Sequence, residues 1–184
     1  MRSAPIIPAV RDPRDLPAAL ASPQPVVFLL ATEINNVVEL VRVVRGAGKD
    51  VFVHFDLVSG LGKDQPALGW LAGAARPSGV ITTRSALLGQ ARSLGLVTIQ
   101  RTFMVDSQSM QTTIEQTRKM PPDFLEAMPA IAPEGIRHLS GQVGCPVIAG
   151  GLVRSVPQVK AALASGAIAV STSCEKLWTH EFRA

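Results

Sequence analysis

The sequence predicts an α/β protein, a compact (β/α)8 TIM-like barrel with short helices, formed as one domain over residues 1–184. Two observations carry that prediction. Eight short apolar runs rich in β-branched residues recur on a regular beat, and amphipathic segments fill most of the intervals between them. Runs that are apolar throughout fit strands buried on both faces, as in parallel sheets. Strands alternating with helices imply right-handed βαβ units. The length of 184 residues lies below the usual size of such barrels, so helices and loops have to be short. An open doubly wound sheet with five or six strands is the competing architecture.

The elements follow in order. "IIPAV" (6–10) is the first strand, and Asp12-Pro13 sets an N-cap before a proline at the first helical position of "DPRDLPAALA". "VVFLLA" (26–31) is the second strand. Asn35 or Asn36 caps the next helix, whose Val37, Val41 and Val44 share one face before Gly46 and Gly48 stop it. "VFVHF" (51–55) is the third strand, followed by Leu68, Leu71, Ala72 and Ala75 at helical spacing. "GVITT" (79–83) is the fourth, followed by Leu87, Ala91 and Leu94 and a stop at Gly95. "LVTIQRTF" (96–103) is the fifth, and Met110, Ile114 and Thr117 mark a more polar helix after it. "DFLEAM" (123–128), "PVIAG" (146–150) and "AIAVST" (167–172) complete the set. Val156, Val159 and Leu163 form a helix before the last strand, ending at Gly166, and no helical pattern is assigned between residues 129 and 145.

Composition narrows the function classes. Eighteen basic and fourteen acidic residues leave a formal charge of +4, which permits a polyanionic partner without demanding one. There is no tyrosine, and six Phe with two Trp do not make an open platform for stacking single-stranded bases. Nucleic acid would be bound through Lys and Arg contacts to phosphate and through shape. The candidates are Arg42, Arg45 and Lys49, then Arg118 and Lys119, then Arg154 and Lys160, although each group taken alone reads more readily as a solvated helix face. No apolar run approaches the roughly 20 residues of a membrane span, and no secretory signal is evident. Cys145 and Cys174 show no metal spacing and suggest a reducing compartment rather than a disulfide framework.

Polar residues cluster at the predicted C-terminal ends of strands, where barrels of this kind bind ligands. Gly150-Gly151 after the seventh strand and Ser171, Thr172 and Ser173 at the end of the eighth form the sharpest constellation. Glycine lets the backbone approach a ligand and expose N–H groups. A helix beginning near Ser173 would add unpaired N–H groups and a positive dipole end, completing a phosphate cradle. A tight turn and a capped helix are the plainer reading of the same residues. His54, Asp56, Thr83, Gln100 and Glu126 are placed to read ligand hydroxyls. Arg101, next to Gln100, points to the opposite face by strict alternation and has to find an acid or a strand end. His54 and Asp56 alone make no metal site; Asp56, Glu126 and a phosphate are the one set that would hold Mg²⁺. No cofactor is expected. The turn at Gly60-Leu61-Gly62 is either a lid carrying Lys63 and Asp64 over the pocket or an ordinary loop with Asp64 as a helix cap. No nucleophile elbow, HExxH motif or strand-centred Schiff-base lysine is present.

"IIPAVRDPRDL", "VFVHFDLVSGLGKD", "GVITTR", "GLVTIQRTFMVDS", "PDFLEAMPA" and "PVIAGG…GAIAVSTS…LW", taken in order from about Ile6 to Trp178, resemble the glycerol uptake operon antiterminator regulatory proteins. The resemblance implies a barrel-like fold and a bacterial cytoplasmic regulator responsive to glycerol 3-phosphate. It also implies a partner, the leader mRNA of a glycerol-utilisation operon, on which such proteins prevent premature termination. Two positions depart from the pattern: Arg84 stands where lysine is expected, and Gly62-Lys63 replaces small polar residues before Asp64. Under this reading, ligand would order the loop 57–64 and select an RNA-binding state or a homodimer. The competing functions are a small barrel enzyme acting on a phosphorylated polyol or sugar, and a sensor acting through another protein.

Overall fold

The computed structural model describes residues 5–180. Eight parallel strands close into a barrel in the order β1, β10, β9, β8, β7, β6, β4, β2. They are β1 (Ile6–Val10), β2 (Val26–Leu29), β4 (Asp50–His54), β6 (Gly79–Thr82), β7 (Val97–Phe103), β8 (Phe124–Met128), β9 (Val147–Gly150) and β10 (Ala169–Thr172). Two short strands, β3 (Thr32–Glu33) and β5 (Val58–Ser59), pair separately in the loops after β2 and β4. The eight predicted strands are therefore the eight barrel staves, and the open-sheet alternative is overturned by closure: β1 pairs with β10 on one side and β2 on the other.

Among the described residues seven α-helices cover the barrel: α1 (Leu16–Ala21), α2 (Val37–Gly46), α3 (Gln65–Ala74), α4 (Leu88–Ser93), α5 (Ser107–Lys119), α6 (Pro133–Gln142) and α7 (Val156–Ala164). Side-chain alternation sorts the apolar residues into two cores. The larger lies between strands and helices and includes Val27, Val51, Val53, Leu125 and Val170 with the buried helix residues. The smaller fills the lumen with Ile7, Phe28, Phe52, Ile81, Ile99, Ile148 and their neighbours. Phe28 and Phe52 meet edge to face there, with centroids 5.7 Å apart.

Three local expectations need correction. Helix α6 was not anticipated; only Ile136 and Leu139 of it are buried, and Gly135 and Gly141 interrupt its apolar spacing. Asn36 does precede α2, but its Oδ1 accepts from the Glu33 N–H behind it and caps nothing ahead. No helix starts near Ser173. The chain makes only a three-residue 3-10 turn, Glu175–Leu177, before Trp178 folds inward. Trp178 is 1% exposed and donates its indole N–H to the Thr172 carbonyl at 2.8 Å, which ends the run there.

Candidate functional site

The C-terminal ends of β1, β2, β7, β8, β9 and β10 surround a cleft of about 370 Å³. Its floor is the last layer of the lumen. Val97 and Ile99 of β7 point inward, so Arg101 does too. Its Nε donates to Glu126 Oε2 at 2.7 Å, while Ser171 Oγ donates to Glu126 Oε1 at 2.6 Å. All three side chains are buried: Arg101 is 7% exposed and Glu126 fully covered. A carboxylate offers about four lone-pair sites. Each Glu126 oxygen therefore keeps capacity for a ligand hydroxyl. Arg101 uses only Nε in the pair, so its terminal nitrogens remain as donors.

The walls come from two turns. After β9 the chain runs through Gly151 at φ 82° and Leu152 at φ 62°, both left-handed. Left-handed backbone is ordinary for glycine and costly for leucine, and such residues concentrate at ligand-handling turns. A side chain at Gly151 would also meet Met128 Cε at 2.7 Å. The turn is fixed behind by Gln158, whose Oε1 accepts from the N–H groups of Arg154 and Ser155. The second turn, Ser173-Cys174, follows β10. Among the described residues the N–H groups of Leu152, Val153 and Ser173 have no acceptor. Arg11 from the end of β1 and Arg154 bring exposed guanidiniums to the same cleft. With one carboxylate already paired to Arg101, the cleft has an excess of positive charge and free N–H donors, the chemistry of an anion site.

The predicted residues divide between this cleft and its surroundings. Gly151, Glu126, Ser171, Thr172 and Ser173 line it. Gly150 lies directly beneath. A Cβ there would fall 2.6 Å from Ser171 Oγ and 2.7 Å from Glu126 Oε1, so the residue is glycine because that hydrogen bond crosses its backbone. The Thr172 hydroxyl faces away from the cleft, donating to the Val153 carbonyl and accepting from the Cys174 N–H. It thereby stitches the two turns together.

Gln100 does not reach the cleft. It faces the helix layer, where its Nε2 donates to Gln116 of α5. Alternation forces a choice between Gln100 and Arg101, and the lumen takes the arginine because Glu126 waits there as its partner. Asp56 and Thr83 are also outside. Asp56 Oδ1 accepts from the Thr82 hydroxyl, and Oδ2 accepts from both the N–H and the hydroxyl of Thr83. This group straps the loop after β4 to the end of β6. Asp56 and Glu126 are thus committed to separate networks, and among the described residues no group of three His, Cys, Asp or Glu side chains is placed to hold a metal.

His54 belongs to the lumen but not to the cleft wall. It is 3% exposed, and its Nδ1 has no hydrogen-bond partner among the described residues. Burial first, and then the nearby Arg101 charge, push its pKa down to about 4, so the ring is neutral. The 57–64 loop is held rather than loose. Lys63 donates to the carbonyls of Phe55 and Val58, and Asp64 caps α3 by accepting from the Ala67 N–H. The residues that sequence reasoning missed are Arg11 and Arg101, together with Arg154 as a cleft residue. Arg154 follows Gly151 by only three positions, a spacing that could have drawn attention to it.

A family model described as glycerol-3-phosphate responsive antiterminator matches residues 6–178. The chain belongs to that family. Two solved structures of the same kind superimpose closely on this antiterminator-family barrel. The glycerol uptake operon antiterminator regulatory protein of Listeria monocytogenes is 35% identical, with a TM-score of 0.92, covering 97% of this chain and 96% of its own. A glycerol uptake operon antiterminator-related protein of Thermotoga maritima is 31% identical, with a TM-score of 0.85, covering 97% and 99%. YgcP of Escherichia coli K12 is 31% identical over 179 residues, 97% of this chain and 94% of its own. Among the described residues, no helix of this family member is long and apolar enough to cross a membrane.

Proposed function

We propose that this chain is a glycerol 3-phosphate-responsive antiterminator that acts on the leader mRNA of a glycerol-utilisation operon, and that its cleft is the ligand site. The observation that carries the reading is the cleft's composition: a Gly151–Val153 turn, a Ser173 turn and the Arg11 and Arg154 guanidiniums around one opening. The phosphate sits against those N–H groups and arginines. The glycerol hydroxyls reach down to Glu126, Ser171 and the terminal nitrogens of Arg101. The phosphate-binding assignment of Gly150 and Thr172 becomes a supporting one, and Asp56, Thr83 and Gln100 frame the barrel end without touching ligand. Family membership supports the RNA partner.

Phosphorus NMR of glycerol 3-phosphate with the purified protein tests the site. The expected result is a shifted or broadened resonance with no new species. Replacing Arg154 with alanine should weaken binding by roughly tenfold to a hundredfold, the worth of one charge-assisted phosphate contact. A new phosphorus peak would instead mean turnover, and the barrel-enzyme reading would take precedence. An unchanged spectrum would remove the assignment of this cleft.

A further inference from the structure

Formal charge is unevenly distributed between the two ends of the barrel. The loops around the cleft, lining residues included, are close to balanced, with six basic residues and seven acids among the described residues. At the opposite end, where helices finish and strands begin, basic residues clearly predominate. Arg45, Lys49, Arg76, Arg92, Arg118 and Lys119 stand there against two acids, Asp50 and Asp123. Both acids are already engaged. Asp50 accepts from the Ser78 hydroxyl at 2.8 Å, and Asp123 accepts from the N–H and hydroxyl of Thr98 at 2.8 and 2.7 Å.

The basic residues occupy four consecutive loops, those feeding β4, β6, β7 and β8, and these loops are tied to one another. Arg45 Nη1 donates to the Arg76 carbonyl at 2.7 Å, Val97 N–H donates to the Ser78 carbonyl at 3.1 Å, and an Arg92 terminal nitrogen donates to the Pro121 carbonyl. The result is a continuous basic arc. Cations at helix ends can simply answer the helix dipole. That explanation would spread them around the barrel, but α1, α6 and α7, the described helices that feed the other strands, have none in their last turns. The concentration on one side requires another reason. Lys49 is turned inward on the carbonyls of Ser22 and Gln24, which leaves the five arginine and lysine side chains of the arc exposed.

We infer that this arc, on the end of the barrel opposite the cleft, is the surface that grips RNA phosphates. The inference rests on the RNA-binding reading above and assigns it a place. No aromatic platform is needed, because a row of cations reads backbone charge and shape. Ligand and RNA then occupy opposite ends of one rigid barrel, and any coupling between them passes along the strands.

Fluorescence anisotropy of a labelled RNA hairpin of about 30 nucleotides, titrated with protein between about 50 and 300 mM KCl, tests this. The arc variant Arg76→Gln/Arg118→Gln/Lys119→Gln is compared with a control of equal charge change, Arg137→Gln/Lys160→Gln/Lys176→Gln. The arc variant should lose at least about tenfold in affinity, and its salt slope should fall by about one unit per side chain removed. The control should stay within about twofold. Arg118→Gln alone, which touches no hydrogen bond of the fold, should lose about threefold. Equal losses in both triple variants, or an unchanged arc variant beside a wild type that binds, would overturn the surface and leave the RNA reading standing. A wild type that holds glycerol 3-phosphate but no RNA would overturn both.

Discussion

At the scale of single residues, His54 shows how burial sets chemistry. It lies in the lumen beside Arg101, and both burial and that charge favour its neutral form. The unfolded chain takes a proton near pH 6.5, whereas the folded one resists until about pH 4. Stability from this group is therefore complete above the unfolded pKa and is lost as pH falls through the window between the two values. Urea titrations at pH 7 and pH 4 should differ by roughly 3 kcal/mol more in the wild type than in His54→Gln. An equal pH dependence in both proteins would mean that His54 is protonated inside the barrel. Arg101 carries a second lesson. Its adjacency to Gln100 was legible in the sequence, and so was its need for an acid. The phase of the strand was not, because Thr98, Gln100 and Thr102 read as well for a lumen face as for a helix-facing one. Only the position of Glu126, in register with Arg101 on the neighbouring strand β8, decides it.

At the scale of elements, the same strand explains a helix. The outer face of β7 is polar, with Thr98 on Asp123, Gln100 on Gln116 and Thr102 on Thr113. Helix α5 is polar in turn, burying Thr113 and Thr117 beside Ile114. The eight staves were legible because each is a short apolar run between turn residues. Helix α6 was not, because two glycines and two buried apolar residues leave no pattern. The missing helix after β10 was unreadable for another reason: Trp178 looks like the apolar face of a helix, but its indole N–H is drawn back to Thr172. Glycines separate structural from permissive positions. Gly150→Ala should force Ser171 and Glu126 apart, costing about 2–4 kcal/mol and weakening glycerol 3-phosphate binding. Gly69→Ala, in the middle of α3 with nothing within 4 Å, should stabilise the protein by about 1 kcal/mol. Paired thermal melts and ligand titrations of the two variants read both effects.

At the scale of the whole molecule, the cleft draws on six of the eight staves, including the first and the last. A ligand held there bridges the seam between β1 and β10. Binding to the folded state alone should add about 2.7 kcal/mol at a hundredfold excess over Kd. Differential scanning fluorimetry with glycerol 3-phosphate, and with glycerol and inorganic phosphate separately, checks this. The full shift is expected only when both halves of the molecule are joined. The seam has one more consequence. Ile6 pairs with Val170, and Pro5 accepts from the Val170 N–H, so the barrel closes through contacts between nearly opposite ends of the described chain. Contacts so distant in sequence form late and slow folding. During synthesis, Arg11 emerges early, but it gains Ser171 and Ser173 only when β10 has left the ribosome. With the ligand site proposed above, a nascent chain is deaf to the metabolite until its last described stave is in place, and the signal is read only by molecules that have passed the folding step.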